Sequence, residues 1–497
     1  MKKSIFILLL SISVAMIAVA APGDTTIIQT FTFEDGTQTP RIGKFEFPDG
    51  SIQYEKVLMY YTIKCDPTAS YPYYCGEWDY DVHTDVLVET GIDTASNPIY
   101  DIWRIGSYIT PYGGGIDLGK GWTWIYDITD FLPILHDSIL LRDGNGQELL
   151  DLKFAFIEGT PVRNVVDIRK VWSSIGFSVP GYWGGFPLSM FDAKYVKDTT
   201  FPLNANEKQV KLRATVTGHY FEEGTNNCGE FCPNIHSVQA NGTTIYSWEI
   251  LQECATNPLY PQGGTWVYDR AGWCTGAMAT TNHFELTPYI QNNSINFDYD
   301  ITFDPYKGVY HAYIFLVTYG DNNHTDDVAA ETIIAPTDNP LYSRDNPTAG
   351  NPVIVIKNIG SNPLTTVEIK YGFKNGTTHS YHWQGNLPFL ETETITLPVP
   401  DWDEVANVDE KVFQFEVINP NGQTDPTPYN NKQASSFVMP PSLNSGLFQF
   451  EFTTNYAPAE TSWKLYTTYG SVLYQSPPSM AANMTYTTAM NLQDGSY

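Results

Sequence analysis

Short runs of alternating apolar and polar residues recur along the chain. In Tyr80-Asp81-Val82-His83-Thr84-Asp85-Val86-Leu87-Val88 the even positions are mostly apolar, while Asp79, Asp81, His83 and Asp85 put polar groups on the odd ones. A period of two is that of a half-buried strand, here with one face open to water or to a cleft. Val210 to Thr217, Ile295 to Phe303 and Tyr310 to Thr318 read the same way. Clusters of Pro, Gly and Asn separate such runs, and long helical periodicities are missing. Many short strands with this punctuation predict an all-β protein of sandwiches or jelly rolls.

The runs also divide the chain. Lys2 and Lys3, an apolar stretch from Ile5 to Ala20, and small residues at Ala18 and Ala20 read as a signal peptide over residues 1–20. The stretch is short for a membrane anchor, and no later one could span a bilayer, so a secreted or cell-surface protein is expected. Strand patterns then fill residues 25–163 and 164–320. A polar stretch with Pro and Asp over 321–350 reads as a linker. Residues 351–440, opened by Val353-Ile354-Val355-Ile356, have the pattern of an Ig-like module. The last segment, 445–497, is too short to close a sandwich and ends inside a strand-like pattern, so a partial, truncated β domain is expected.

Charge and cysteines narrow the partners. Acids outnumber bases 55 to 27, and a net charge of −28 repels phosphate backbones, which argues against a nucleic-acid partner. An acidic surface keeps an exported chain soluble, and a monomer is expected. The six cysteines Cys65, Cys75, Cys228, Cys232, Cys254 and Cys274 are even in number, which in an exported protein reads as three disulfides. Their pairing is open at this point. A structural zinc site would want CxxC-type spacing, which is absent.

Three motifs join a cysteine to acids and aromatics: Cys75-Gly76-Glu77-Trp78-Asp79, Cys228-Gly229-Glu230-Phe231-Cys232, and Trp266-Val267-Tyr268-Asp269-Arg270-Ala271-Gly272-Trp273-Cys274. A bridge between Cys228 and Cys232 would close a very small loop and fix the direction of Glu230. Cys75 would likewise pin the chain that carries Asp79. Two anchored carboxylates sharing a cleft would repel, raise at least one pKa and suit acid–base chemistry. Arg270 could hold a carboxylate or a polar ligand, and Trp78, Trp266 and Trp273 could offer flat faces to sugar rings. Taken singly, each acid reads as a loop residue and each tryptophan as core.

In order and separation the three motifs resemble those of the peptide-N-glycosidase F family. So do Ile109-Thr110-Pro111-Tyr112, Asp127-Ile128-Thr129-Asp130-Phe131, Gly159-Thr160-Pro161 and Leu212-Arg213-Ala214-Thr215, and the resemblance covers roughly Thr25 to Thr318. It implies two adjacent antiparallel jelly-roll sandwiches, and an amidase that cleaves the bond between asparagine and an N-linked glycan and leaves aspartate. N-linked glycoproteins or glycopeptides would be the partners, with neither metal nor other cofactor required. It implies the pairs Cys65–Cys75, Cys228–Cys232 and Cys254–Cys274, places Asp79 and Glu230 as catalytic acids, and puts Arg270 near the substrate. Trp78 adjoins the first acid. Tyr80 stands where the family has an arginine. A family segment with a third acid and a tryptophan falls near Arg142-Asp143-Gly144-Asn145, where Asp143 is the surviving acid. Gly218-His219 occupies the neighbourhood of another family tryptophan, which makes His219 a candidate substrate contact.

Two other readings stand beside the amidase. One is a catalytically degenerate glycan- or protein-binding module on the same scaffold, which a filled cleft would favour. The other is a copper monooxygenase. Copper needs clustered histidines, and the nine histidines are scattered with no His-x-His pair. Three of them converging in the fold would reopen that reading.

Overall fold

The computed structural model describes residues 22–70, 74–172, 196–219, 221–222, 227–302, 309–345, 350–405, 409–439, 445–467 and 470–493. The expected signal peptide lies outside them. Among the described residues the chain is all β, and its helices are 3-10 turns of at most 6 residues.

A first sandwich is built from β1 (Thr25–Gln29), β2 (Arg41–Glu46), β3 (Tyr54–Lys64), β4 (Asp81–Ile92), β5 (Pro98–Ile109), β6 (Trp122–Asp127), β7 (Ser138–Asp143) and β8 (Leu149–Glu158). Its two antiparallel sheets run β1-β8-β3-β6 and β2-β7-β4-β5. Period-two burial makes the core. On β3, Val57, Met59, Tyr61 and Ile63 point inward, where Phe154 and Phe156 of β8 meet them.

A second sandwich follows with β9 (Arg163–Trp172), β10 (Thr199–Pro202), β11 (Gln209–His219), β12 (Ile235–Ala240), β13 (Thr243–Glu249), β14 (Thr281–Glu285), β15 (Ser294–Thr302) and β16 (Val309–Asn322). Its sheets run β14-β11-β16-β9 and β10-β15-β12-β13. Counted within each unit, both sandwiches have the same strand order, 1-8-3-6 facing 2-7-4-5.

The two units share one strand. The even residues of β16, Tyr310, Ala312, Ile314 and Leu316, fill the core of the second sandwich. Its odd residues, Tyr313, Phe315, Val317 and Tyr319, join the core cluster of the first. Burial on both faces explains why Tyr310 to Tyr319 is almost continuously apolar. Phe315 stacks on Trp103 with ring centres 6.0 Å apart and meets Phe131 edge-on at 5.2 Å. Beside this apolar contact, the buried carboxylate of Asp130 accepts hydrogen bonds from Lys211 Nζ (3.0 Å), Arg213 Nη1 (3.2 Å) and the Tyr319 hydroxyl. This packing also corrects the face of β4 expected to meet water or a cleft. His83 lies edge-on to Tyr313 at 5.3 Å and Asp81 contacts His311, so the second sandwich covers it.

A third sandwich contains β17 (Val328–Ala335), β18 (Val353–Asn358), β19 (Leu364–Phe373), β20 (His379–Leu387), β21 (Thr392–Thr396), β22 (Val412–Ile418) and β23 (Lys432–Ser436). The sheets run β17-β18-β21 and β20-β19-β22-β23. Strand β17 falls inside the stretch 321–350 expected as a linker. Val328, Ala330 and Ile333 are buried with Ile354 and Ile356, so its apolar positions supply core that the polar flanks conceal in the sequence. This sandwich touches the first one: Asn430 Nδ2 donates to Glu55 Oε1 at 2.9 Å. The last segment forms two two-stranded ribbons, Gly446–Thr453 with Thr485–Leu492 and Lys464–Tyr466 with Val472–Gln475. No described helix is long and apolar enough to cross a membrane.

Candidate active site

The loop carrying Asp79 is held from several sides. The Cys65–Cys75 disulfide ties its start to the end of β3. Gly76 has φ +86°, and its carbonyl lies so close to Gly113 that a Cβ there would collide with it. The Glu77 N–H donates to Gln147 Oε1 at 2.8 Å. Thr110, just past β5, closes the clamp. Its hydroxyl donates to the Trp78 carbonyl and accepts from the Tyr80 N–H at 2.8 Å, and its own N–H donates to the Tyr80 carbonyl at 3.0 Å. With both neighbours fixed, Asp79 is fixed too, and the Tyr112 hydroxyl donates to its Oδ2 at 2.8 Å.

Glu230 sits on a loop of the second sandwich with parallel logic. Its neighbour Gly229 packs on β11 so closely that a Cβ at Gly218 would collide with the Gly229 carbonyl. The Ala271 N–H donates to the Glu230 carbonyl at 2.8 Å. Arg270 is fully buried and orients the side chain: its Nε donates to Glu230 Oε1 at 3.0 Å. Nη1 donates to the carbonyls of Thr265 and Tyr268, both at 2.9 Å, and Nη2 to Thr265 Oγ1 at 3.0 Å. The guanidinium lies over Trp273 and Phe231, 5.0 and 5.1 Å from their ring centres. Cys254–Cys274 is formed, as the resemblance implied, and Cys232 is disulfide-bonded. The expected bond to Cys228 involves a side chain outside the described residues.

Both acids line one open cleft of about 960 Å³, together with Trp78, Tyr112, Phe231 and Tyr268. Burial raises the pKa of Asp79, against the hydrogen bond from Tyr112. Burial also raises that of Glu230; Arg270 opposes the shift and the charge of Asp79 adds to it. The Tyr112 hydroxyl is pushed up to about 12 by burial and by Asp79, so it stays a donor. The arrangement can hold a polar substrate in a cleft that carries two carboxyls of raised pKa, a setting suited to acid–base chemistry.

The other expected substrate contacts are distributed differently. Trp78, 53% exposed, is on the cleft wall. Tyr80 is 52% exposed but is not among the cleft-lining residues. Arg270 is fully buried and spends four of its five N–H donors on Glu230, Thr265 and Tyr268, so in this structure it positions Glu230. Asp143 is a correction as well. It is fully buried at the end of β7, accepts from Thr84 Oγ1 at 2.8 Å and from the Asn145 N–H at 2.9 Å, and is screened from any substrate. Tyr112 and Thr110 are the residues that sequence reasoning missed. Their motif was visible, but nothing in a separation of 33 residues announces a bond to Asp79.

His219 belongs to a second cluster. It stacks on Trp273 at 5.4 Å and lies 4.5 Å from the ring of His311. His311 Nδ1, His83 Nε2 and His219 Nε2 stand 2.8, 3.5 and 3.9 Å from Asp81 Oδ2. The histidines that look scattered in sequence therefore do converge, because β4, β11 and β16 meet where the sandwiches join. Burial works against the charged form of Asp81, but His83, His311 and His219 outweigh it and hold the carboxyl at about 2. Burial pushes the imidazoles of His83 and His219 down to about 4 and 3.

Comparison with known proteins adds the following. Residues 188–319 match the family described as Peptide-N-glycosidase F, C terminal. No curated protein sequence matches the chain. Among solved structures, PNGase F, a glycosylasparaginase from Flavobacterium meningosepticum, is 21% identical over 60% of this chain and 96% of that one, with a TM-score of 0.46. A peptide-N(4)-(N-acetyl-beta-D-glucosaminyl) asparagine amidase is 22% identical over the same shares, 60% and 96%, at 0.45. PNGF-II is 15% identical over 60% of this chain and 66% of that one, at 0.44.

Proposed function

The chain belongs to the peptide-N-glycosidase F family through residues 188–319, and on that premise we propose that it hydrolyses the side-chain amide joining asparagine to an N-linked glycan. The observation that carries this reading is that Asp79 and Glu230, each anchored by a different sandwich, line one open cleft. A filled cleft would have favoured a binding module. In fold terms, we read the shared strand order of the first two sandwiches as that of a jelly roll and the third sandwich as Ig-like.

In the reaction, water adds to the amide carbonyl carbon, the carbon–nitrogen bond breaks, and the nitrogen leaves as a glycosylamine after gaining a proton. Aspartate remains on the peptide. Asp79 acts at the amide, directly or through the water; Tyr112 occupies one of its oxygens and leaves the other for this work. Glu230, aimed by Arg270, holds the water or a polar group of the substrate. The aromatic wall of Trp78, Phe231 and Tyr268 suits the apolar faces of sugar rings. Export is part of the same proposal: Lys2, Lys3 and the apolar run after them support it, as do the disulfides.

The test is to incubate purified protein with a denatured N-glycoprotein and to look by mass spectrometry for aspartate at former glycosylated asparagines. Conversion by the wild type and not by Asp79→Asn is expected. Absence of conversion across several glycan classes would sink the amidase and leave a glycan- or protein-binding module or, since His83, His219 and His311 converge on Asp81, the copper reading.

A further inference from the structure

Asp81, His219 and His311 each present a ligand atom, and these atoms all lie within 4.8 Å of one another. Donors around one ion with bonds of ~2.1 Å stand roughly 3–4 Å apart in tetrahedral geometry. Two of the separations, 2.8 Å from His311 Nδ1 and 3.9 Å from His219 Nε2 to Asp81 Oδ2, are close to that range. A second observation points the same way. The Asp81 side chain is 9% exposed, and its other oxygen, Oδ1, is buried without a hydrogen-bond partner. An unsatisfied carboxylate oxygen at this depth is costly unless something cationic meets it. A small cavity of about 240 Å³ reaches Asp81 and His83 from the side of Arg104 and Arg142; His219 and His311 are not among its lining residues.

We propose that Asp81, His219 and His311 form a site for one divalent first-row transition ion at the junction of the two sandwiches. Two imidazoles and a carboxylate are borderline donors that suit zinc, and copper as well. Asp81 comes from the first sandwich and both histidines from the second, so the ion joins the two units. His83 supports the site from behind: its Nδ1 is 3.1 Å from Ser107 Oγ, and its Nε2 is the nitrogen near Asp81. On binding, the ion displaces the hydrogen bond between His311 and Asp81, and His219 exchanges the Thr217 hydroxyl, now 2.8 Å from Nε2, for the metal. The site adjoins the cleft through two short links. Asp81 follows Asp79 by two residues, and His219 stacks on Trp273, which lies under Arg270.

The experiment strips the full chain with a chelator, dialyses it against Zn²⁺ or Cu²⁺, and measures bound metal by elemental analysis. The wild type is expected to retain one equivalent of at least one of them more than His311→Gln and His219→Gln. Equal retention in wild type and variants would overturn the proposal. If the variants fail to fold, the wild type alone decides. Co²⁺ at one equivalent should produce visible absorption that Zn²⁺ bleaches, together with a rise of several degrees in melting temperature. If Co²⁺ gives no such absorption and no thermal shift, the site is refuted. Metal content is read without any substrate, so this result stands apart from the amidase assay.

Discussion

Asp79, half-buried in the cleft, and Asp130, buried where the first two sandwiches meet, are carboxylates tuned in opposite directions. Around Asp130 two cations, Lys211 and Arg213, and the Tyr319 hydroxyl satisfy the charge. They overcome the cost of burial and hold its pKa far below the carboxylate range. Around Asp79 the partner is a neutral phenol, burial wins, and the pKa rises. One end of the junction is fastened by charge and the other is kept poised. What separates a strut from a reactive group here is the charge of the hydrogen-bond donor, and depth of burial alone does not decide it.

Substitutions can break this contrast. The largest effect should come from Asp79→Asn, which is expected to lower glycan release by ~10²–10⁴-fold while the melting temperature holds. Comparable losses of stability and activity would make Asp79 a second strut. Asp130→Asn should do the reverse. It leaves two buried cations unpaired and should cost about 3–5 kcal/mol in denaturant unfolding, with kcat of the folded fraction unchanged. Since the folded pKa of Asp130 is depressed, its contribution is present above the unfolded carboxylate range and is lost on acidification, so the wild type and this variant should converge in strong acid.

Smaller changes sharpen the picture. Arg270→Gln should reduce kcat by roughly 10²-fold through misplacement of Glu230, with a smaller change in KM. Tyr112→Phe removes the bond that holds the Asp79 pKa down. The acid limb of its kcat/KM profile should therefore move to higher pH, which a purely structural tyrosine would not do. The smallest effect concerns Glu148, buried in the first sandwich and raised to about 8 chiefly by desolvation. A raised carboxyl stabilises fully below its unfolded pKa and loses that contribution as pH rises through about 8. Glu148→Gln should thus stabilise the fold on the order of 1–3 kcal/mol near pH 9 and by nothing near pH 4. A pH-independent effect would mean that the site is not governed by burial.

Alternation and punctuation were enough to read an all-β chain, and β11, β15, β16 and β18 lie within a few residues of the runs that predict them. The anchored acids were legible because cysteines and glycines flank them. What was not legible depends on packing between sheets. Arg270 looks like a ligand-binding arginine until its four donated bonds are counted. Asp143 looks like a loop acid until β7 buries it. His83, His219 and His311 are far apart in the chain, and only the meeting of β4, β11 and β16 brings them together. Strand β17, Val-Ala-Ala-Glu-Thr-Ile-Ile-Ala, was hidden because Glu331 and Thr332 break its alternation, three of its apolar residues are small alanines, and its flanks are polar.

Strand β16 has one more consequence. Because its two faces pack into different cores, each unit is expected to lose stability when separated from the other. A fragment ending near residue 161 would expose Trp103 and Phe131, and one beginning there would expose Phe315 and Val317. The pair should melt in a single cooperative transition, and an attempt to exchange either half for a foreign module should yield aggregates in place of chimeras.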